Sequence, residues 1–187
     1  ACALCMDKVA SKHEIRAAGL PTADWAAFNA TAFRALGAAD TLDEIEARLG
    51  FPLVVKPASQ GSSLGVEFAS SRDEVPQALV AAFSYDDRVL ERYVKGRELA
   101  VSVLGADPLP IVEAIPREED FFNFEARYEI GRTEYVCPAD LPQAQARTVQ
   151  ELARRTYETL GCGGFARVDL MLGADGPRVL EVNAIPG

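Results

Sequence analysis

The stretch ARVDLMLGADGPRVLEVNAIPG, residues 166–187, has the pattern of two strands joined by a tight turn. Apolar residues occupy every second position over residues 168–172, and Leu180 and Val182 share one face of the second run. A period of two predicts half-buried β-strands. The intervening Ala-Asp-Gly-Pro at 174–177 is typical of a turn. The sequence therefore predicts an antiparallel hairpin.

Two carboxylates, Asp169 and Glu181, lie inside these otherwise apolar strands. A turn centred on Asp175 predicts three facing pairs, which are Leu172 with Arg178, Asp169 with Glu181, and Arg167 with Asn183. Facing carboxylates repel by roughly 0.2–1 kcal/mol unless a cation lies between them. The oxygen donors on this face suit Mg²⁺ or Mn²⁺. The alternative is an edge hairpin whose acids point into solvent, and spacing alone leaves both interpretations open.

The composition is that of a folded globular chain. Its 187 residues are 49% hydrophobic and 25% charged, which suffices for the core of one domain or of two small ones and argues against disorder. No apolar run approaches the roughly 18 residues of a membrane span, and no signal peptide is recognisable. These features predict a soluble, cytoplasmic protein with no membrane partner. The first residue is not Met and only four residues follow the last predicted strand, so we expect a fragment of a longer polypeptide.

Charge and cysteine content disfavour several classes of function. The net charge of -9 argues against a nucleic-acid binder, which needs a surplus of Lys and Arg on one face. Cys2 and Cys5 are spaced like half of a zinc site, but no second such pair exists and His13 is the only histidine. We therefore expect reduced thiols rather than a structural zinc site. The shortage of histidine also argues against His-based nucleophilic triads.

Helices and strands interleave along the rest of the chain. Thr41 and Glu44 predict a capping box at the start of a helix that ends before Gly50. Strand candidates, besides the hairpin, are residues 52–56, 64–70, 88–94, 98–105, 111–115 and 134–139. Short turns and antiparallel neighbours favour an α+β chain of two subdomains that meet near residues 93–96. Residues 117–133 show neither period and predict a long loop of the kind that often serves as a lid.

The stretch VVKPASQGSSLGV, residues 54–66, is a glycine- and serine-rich loop between two strand candidates. Gly61 permits close approach of the backbone to an anion, Ser62 and Ser63 offer hydroxyls and amides, and Lys56 offers a positive charge. No Gly-Lys-Ser/Thr follows, so it is not a Walker A loop. The alternative interpretation is a simple hairpin turn with its lysine directed to solvent.

Two further acids flank the turn in RVLERYVKGRELAVSVLG, residues 88–105. Glu91 ends one strand candidate and Glu98 begins the next. Carboxylates placed in this way could accept hydrogen bonds from the amino group of a base and from a ribose. Ordinary solvation at the surface is the alternative.

Taken in order, seven segments resemble the ATP-grasp portion of the D-alanine:D-alanine ligases: MDK, GLP, FPLVVKPASQGSSLGV, VLERYVKGRELAVSVLG, YEIGRTEYVCPADL, LGCGGFARVDLML and LEVNAIPG. The resemblance covers nearly all of the chain. It implies an ATP-grasp fold, in which two α+β subdomains with largely antiparallel sheets clasp the nucleotide. Residues 1–94 would form the small (lid) subdomain, and residues 95–187 would form the large subdomain, truncated at its C-terminus.

The resemblance also implies roles for individual residues, with ATP and two Mg²⁺ ions as cofactors, or Mn²⁺ in place of Mg²⁺. The implied metal ligands are Asp169, Glu181 and Asn183. The implied nucleotide-binding residues are Lys8, Lys56, Ser63, Glu91, Arg92, Tyr93, Val94, Glu98 and Arg127. The implied catalytic residues are Arg167 and Gly187, which would donate to a developing oxyanion, and Ser62 and Tyr128, which would orient substrate.

The implied reaction joins two D-alanines and forms ADP, for synthesis of peptidoglycan precursors. One carboxylate takes the γ-phosphoryl group of ATP to give D-alanyl phosphate, which the amine of the second D-alanine attacks. Tyr128 resembles the residue of ligases that make a dipeptide rather than a D-alanyl-D-lactate ester. Two other functions stay open: another ATP-grasp carboxylate-amine ligase, and a non-catalytic nucleotide-binding module.

The sequence departs from the family pattern in the lid and in extent. Arg127 stands where the family usually has lysine, and Phe122 and Phe124 stand where it usually has tyrosines. The family's N-terminal domain and C-terminal tail have no counterpart in the sequence. We therefore expect this fragment to bind nucleotide weakly or not at all, and not to turn over alone. We expect a homodimeric parent, and a monomer or weak dimer for the fragment.

Overall fold

The computed structural model describes residues 1–28, 38–60, 65–82, 88–116 and 133–186. Its helices are α1 (Cys2–Met6), α2 (Lys8–Ala17), α3 (Ala38–Leu49), α4 (Val75–Ala82) and α5 (Gln143–Thr159), and a 3₁₀ turn spans Arg72–Glu74. Its strands are β1 (Trp25–Phe28), β2 (Leu53–Pro57), β3 (Glu67–Ala69), β4 (Arg88–Arg92), β5 (Arg97–Leu104), β6 (Asp107–Pro108), β7 (Val112–Pro116), β8 (Thr133–Val136), β9 (Phe165–Gly173) and β10 (Gly176–Asn183). The strand candidates in the described part of the sequence are all confirmed. Within that part, no helix combines the length and the apolar character that a membrane span requires.

The chain divides into two compact units, one formed by Ala1–Thr22 with Val94–Gly187 and the other by Ala23–Tyr93. This grouping differs from the predicted division into 1–94 and 95–187, because the first 22 residues belong with the second half of the chain. The cause is local packing: α1 and α2 contact β10, and the main-chain N–H of Val179 donates to Pro21 O at 2.9 Å.

The Ala23–Tyr93 unit contains an antiparallel sheet with the strand order β1-β4-β2-β3. Leu53 and Val55 of β2 and Leu90 of β4 are completely buried in one hydrophobic cluster with residues of α3 and α4. Because side chains alternate along a strand, Lys56 and Glu91 lie on the opposite face of this sheet. The helices therefore cover one face, and the other face carries charge.

The second unit contains a six-stranded sheet with the order β10-β9-β5-β7-β8, with β6 paired to β5. Helix α5 packs on β5, β9 and β10. Its Val149, Ala153 and Tyr157 share one cluster with the alternate residues of β5 and β9, namely Leu99, Val101, Val103, Val168 and Leu170. The intervening positions of β5 and β9, including Glu98 and Asp169, consequently lie on the face away from α5.

The hairpin between β9 and β10 has the predicted pairs at the end away from its turn, but not next to the turn. Asp169 faces Glu181, and Arg167 faces Asn183, as predicted. The predicted pair of Leu172 with Arg178 is wrong, because Leu172 faces Pro177 and Arg178 faces Met171.

The register changes by one residue between Val179 and Glu181, a β-bulge at Leu180. The turn contains one residue fewer than the predicted register requires. The extra residue at Leu180 makes up for it, so Asp169 and Glu181 still face each other. Val179 rather than Leu180 consequently joins Val182 in the core.

One prediction is wrong at the start of a helix, and strand β1 was missed. Helix α3 begins at Ala38, so Thr41 lies inside the helix and the capping box is wrong. Alanines at 38 and 39 are strong helix formers, which favours an earlier start. Strand β1 was not predicted, because its sequence WAAF carries two alanines and no β-branched residue.

Replacing Gly96 by alanine is expected to destabilise the sheet that carries β5 and β9. A Cβ at this position would overlap the carbonyl oxygen of Leu172 and lie 2.6 Å from its carbonyl carbon. Relief requires movement of strand backbone, for which we expect a loss of about 2–3 kcal/mol in the free energy of unfolding. Gly163→Ala is the matched control, since a Cβ there meets nothing within 4 Å. Denaturant titration of both variants checks the prediction, and equal stabilities would contradict it.

Candidate active site

Asp169 is held by Arg167, two residues earlier on the same face of β9. Arg167 Nε donates to Oδ1 of Asp169 at 2.7 Å, and Nη2 donates to Oδ2 at 3.0 Å. This two-point contact fixes the plane of the guanidinium as well as the position of the carboxylate. The spacing of two residues places both side chains on one face of the strand, as the hairpin pattern predicted.

Asn183 links the two facing carboxylates. Its Nδ2 lies 3.0 Å from Oδ2 of Asp169 and 3.5 Å from Oε1 of Glu181. The three predicted metal ligands are therefore gathered on one face of the hairpin, away from α5.

Lys8 approaches the same cluster from the start of α2. Asp7 caps this helix, since its Oδ1 accepts from the main-chain N–H groups of Val9 and Ala10 at 2.9 and 3.0 Å. The cap places Lys8 at the first helical position, where its Nζ lies 3.5 Å from Oε2 of Glu181. A cation at the positive end of a helix is unfavourable by itself, so the carboxylate offsets that cost.

The pKa of Asp169 is raised from 3.8 to about 6. Burial is the largest cause, and the negative charges of Glu181 and Glu98 add to it, while Arg167 acts in the opposite direction. Glu98 contributes from the neighbouring strand, where it faces Met171 on β9. The fold thus keeps a carboxylate where its negative charge is disfavoured, an arrangement that is common at functional sites.

The chemistry of this cluster fits a divalent cation. In the part of the chain that the structure describes, no three His, Cys, Asp or Glu side chains are grouped to hold a metal, so the donors are two carboxylates and one amide. Carboxylate and amide oxygens are the ligands that Mg²⁺ prefers, and its charge would relieve the repulsion around Asp169. Ligation by Asn183 requires its amide to turn so that Oδ1 replaces Nδ2.

A second pair of predicted residues meets in the Ala23–Tyr93 unit. Lys56 Nζ lies 2.8 Å from Oε1 of Glu91, and both residues are buried. The register pairs Lys56 with Val89 and Val54 with Glu91, which makes the two charged residues diagonal neighbours on one face. Each charge compensates the other where burial would make an isolated charge costly.

The segment after Glu91 is tied into the same unit. The N–H of Arg92 donates to Asp24 O at 2.9 Å, and the N–H of Tyr93 donates to Pro52 O at 3.0 Å. The Tyr93 ring meets Phe68 edge to face with centroids 5.9 Å apart, and burial raises the pKa of its hydroxyl. Val94 begins the second stretch of the other unit, so the predicted nucleotide-binding residues are divided between the two units.

Several predicted site residues cannot be placed. Ser62, Ser63, Arg127, Tyr128 and Gly187 lie outside the described residues, as do Phe122 and Phe124 of the predicted lid. Their roles stay predictions.

The sequence interpretation also missed two residues next to the cluster. Thr22 contacts β10 immediately before the bulge, and Lys12 contacts Thr22. The spacing of Lys8 and Lys12 by one helical turn was the available signal, because it places both lysines on one face of α2.

Replacing Asp169 by asparagine is expected to change how stability depends on pH in the absence of divalent metal. A carboxyl whose pKa is higher in the folded than in the unfolded state binds more protons when folded, so its contribution to stability is lost as pH rises from about 4 to 6. Asparagine does not titrate. Relative to the native protein, the free energy of unfolding of the variant should therefore rise by roughly 2–3 kcal/mol between pH 4 and pH 7.

Denaturant titrations across this pH range measure the effect. Asp175→Asn is the control, because that side chain is 87% exposed in the turn and has no burial cost to relieve. Parallel pH profiles for the native protein and Asp169→Asn would contradict the prediction.

Known proteins are similar to this chain in sequence and in structure. The family model "D-ala D-ala ligase C-terminus" matches residues 15–187. A D-alanine–D-alanine ligase of Synechococcus sp. (strain JA-3-3Ab) is 42% identical over the whole chain, which spans 57% of that protein.

Two solved structures are similar over nearly the full chain. The D-alanine–D-alanine ligase of Bacillus anthracis complexed with ATP has a TM-score of 0.78 at 32% identity, over 98% of this chain and 56% of that one. VanG D-Ala:D-Ser ligase of Enterococcus faecalis has a TM-score of 0.83 at 31% identity, over 99% of this chain and 54% of that one.

The chain thus spans little more than half the length of the relatives that it matches. Its two antiparallel sheets with their helices form the α+β architecture of ATP-grasp ligases. With a family model matched over residues 15–187, the chain belongs to the D-Ala D-Ala ligase C-terminal family.

Proposed function

We propose that this chain provides the nucleotide- and metal-binding part of an ADP-forming ligase that joins two D-alanines through D-alanyl phosphate, in the cytoplasm, for peptidoglycan precursor synthesis. The observation that carries the proposal is the hairpin face on which Asp169, Glu181 and Asn183 meet Lys8 and Arg167. A merely structural hairpin has no need of two carboxylates that face each other at partly buried positions. Similarity to ligases supports the choice of reaction.

Asp169, Glu181 and Asn183 would hold Mg²⁺, two ions in the proposed complex, or Mn²⁺. When bound, the metal neutralises charge on the triphosphate during phosphoryl transfer. The chain's own contribution is to keep the two carboxylates together: Asn183 bridges them, and Lys8 and Arg167 each hold one.

Lys8 and Lys56 are the proposed ligands of the nucleotide phosphates. Each is already held beside a carboxylate, Lys8 by Glu181 and Lys56 by Glu91, so its position is fixed before any nucleotide binds. Glu91, Glu98 and the backbone of residues 92–94 are the proposed contacts to adenine and ribose. Ser63 and Arg127 are proposed to add contacts to the phosphates.

Arg167 is the proposed donor to the oxyanion that develops when the second amine attacks, together with the amide of Gly187. Its two hydrogen bonds to Asp169 fix its plane, and a donor fixed in advance is what electrostatic catalysis requires. Ser62 and Tyr128 are proposed to orient the substrates. A non-catalytic nucleotide-binding module would not need an arginine in this role.

Removing the facing carboxylates should abolish metal-dependent nucleotide binding. We expect calorimetric titration of this chain with ATP to show weak binding that requires Mg²⁺, and an Asp169→Ala/Glu181→Ala variant to bind at least about 100-fold more weakly. The matched control, Asp175→Ala/Glu158→Ala, removes two carboxylates from exposed positions of the same unit and should bind like the native chain. Binding that is indifferent both to Mg²⁺ and to the loss of Asp169 and Glu181 would refute the proposed site.

Turnover distinguishes the ligase from the two other functions. Measured on the longest natural protein that contains this chain, ADP formation should depend on D-alanine and yield the D-alanyl-D-alanine dipeptide. Arg167→Met should abolish turnover, and because Arg167 also holds Asp169 it should weaken Mg²⁺-dependent ATP binding by about 10–100-fold rather than abolish it. Turnover with a different amino acid would indicate another carboxylate-amine ligase, and ATP binding without turnover would indicate a binding module. We propose a homodimer for that protein, which light scattering can test, and no turnover by this chain alone.

A further inference from the structure

The two residues that flank the bulge in β10 are both held from the same side. On one flank, Oε2 of Glu181 lies 3.5 Å from Lys8 Nζ. On the other, the carbonyl oxygen of Val179 accepts a hydrogen bond from the hydroxyl of Thr22 at 2.8 Å. That hydroxyl in turn accepts from Lys12 Nζ at 2.9 Å. Lys8 and Lys12 lie one turn apart on α2, so a single helix holds both flanks.

The bulge decides which face of the sheet Glu181 occupies. Val179 faces Leu170 and is completely buried in the core beneath α5. In a regular strand Glu181 would share that face, because residues two apart point the same way. The extra residue at Leu180 instead aligns Glu181 with Asp169. If Leu180 instead paired with Asp169 in a regular ladder, the Glu181 carboxylate would point into the hydrophobic core.

A bulge leaves one residue unpaired and locally interrupts the ladder, so other contacts must fix its position. Here they come from the residues just after α2. Thr22 forms a parallel bridge with Val179 on the edge of β10 that β9 does not use. The N–H of Val179 donates to Pro21 O at 2.9 Å, and the carbonyl oxygen of Val179 accepts from the hydroxyl of Thr22. Both main-chain polar groups of Val179 are thereby engaged.

We propose that Thr22 and Lys12 are positioning residues that keep the bulge at Leu180, and so keep the Glu181 carboxylate beside Asp169 for divalent metal binding. The inference rests on the proposed function for its metal, but the placement of the strand can be tested separately. Thr22 suits the role because a hydroxyl can donate and accept at once, as the two hydrogen bonds that link Lys12 to Val179 require. Valine has nearly the same shape and can do neither.

The test compares Thr22→Val, Thr22→Ser and Lys12→Met in this chain. Mn²⁺ affinity in the presence of ATP, measured by electron paramagnetic resonance, should fall about 10–100-fold in Thr22→Val and Lys12→Met, the usual range for residues that orient metal ligands. Thr22→Ser keeps the hydroxyl and should restore affinity to near the native value. In metal-free protein, amide hydrogen exchange over residues 179–183 should be faster in the first two variants and close to native in the third.

Thr156→Val is the matched control. Like Thr22, Thr156 is buried, and its hydroxyl also donates to a backbone carbonyl, that of Leu152 at 2.8 Å, but this bond lies within α5. This variant loses the same kind of bond and should lower the melting temperature without changing Mn²⁺ affinity or exchange in β10.

The outcomes separate the positioning role from the metal site. If Thr22→Val and Lys12→Met behave like Thr156→Val in both measurements, the residues only stabilise the fold and the proposal is overturned. If the native chain binds no Mn²⁺ with ATP, the metal site fails, and the exchange measurement alone decides the placement of β10. Unchanged exchange in that case would overturn the placement as well.

Discussion

The repulsion between Asp169 and Glu181 is the constraint on which the rest of the site depends. Strand pairing sets the two carboxylates face to face, and burial makes the charge of Asp169 more costly. Three neighbours answer this constraint: Arg167 holds one acid, Lys8 approaches the other, and Asn183 spans both. Glu98, by contrast, adds to the repulsion. The fold therefore maintains a concentration of negative charge that is unfavourable by itself, the state a cation-binding site needs before its cation arrives.

The sequence predicted this face correctly, although one of its premises was wrong. Alternation and a Gly-Pro turn predict a hairpin, and a turn centred on Asp175 pairs the two acids. The observed turn is one residue shorter, and the bulge at Leu180 compensates. Periodicity could not reveal the bulge, because Val179 and Leu180 are both apolar and either could face the core. Contacts from residues 21 and 22, remote in sequence, make the choice.

Prediction from the sequence failed mainly where a residue's partner lies far away along the chain. Lys56 and Glu91 were each singled out, but their mutual ion pair depends on the register of β2 against β4, which neither strand specifies alone. The grouping of residues 1–22 with the second half of the chain has the same origin. Local signals served better: most of the strands and the position of the hairpin turn could be predicted from short patterns, because neighbouring residues determine them.

The bulge also determines which changes of length the hairpin can tolerate. Between Val179 and Glu181 the strand carries one residue, Leu180, that has no partner on β9. Deleting Leu180 would leave Val179 opposite Leu170 and Glu181 opposite Asp169 in a regular ladder, so the two acids would stay aligned. With the turn unchanged, one more residue at the same place would carry Glu181 across the sheet unless the bulge widened to hold it. The hairpin therefore tolerates the loss of its extra residue more readily than the gain of another.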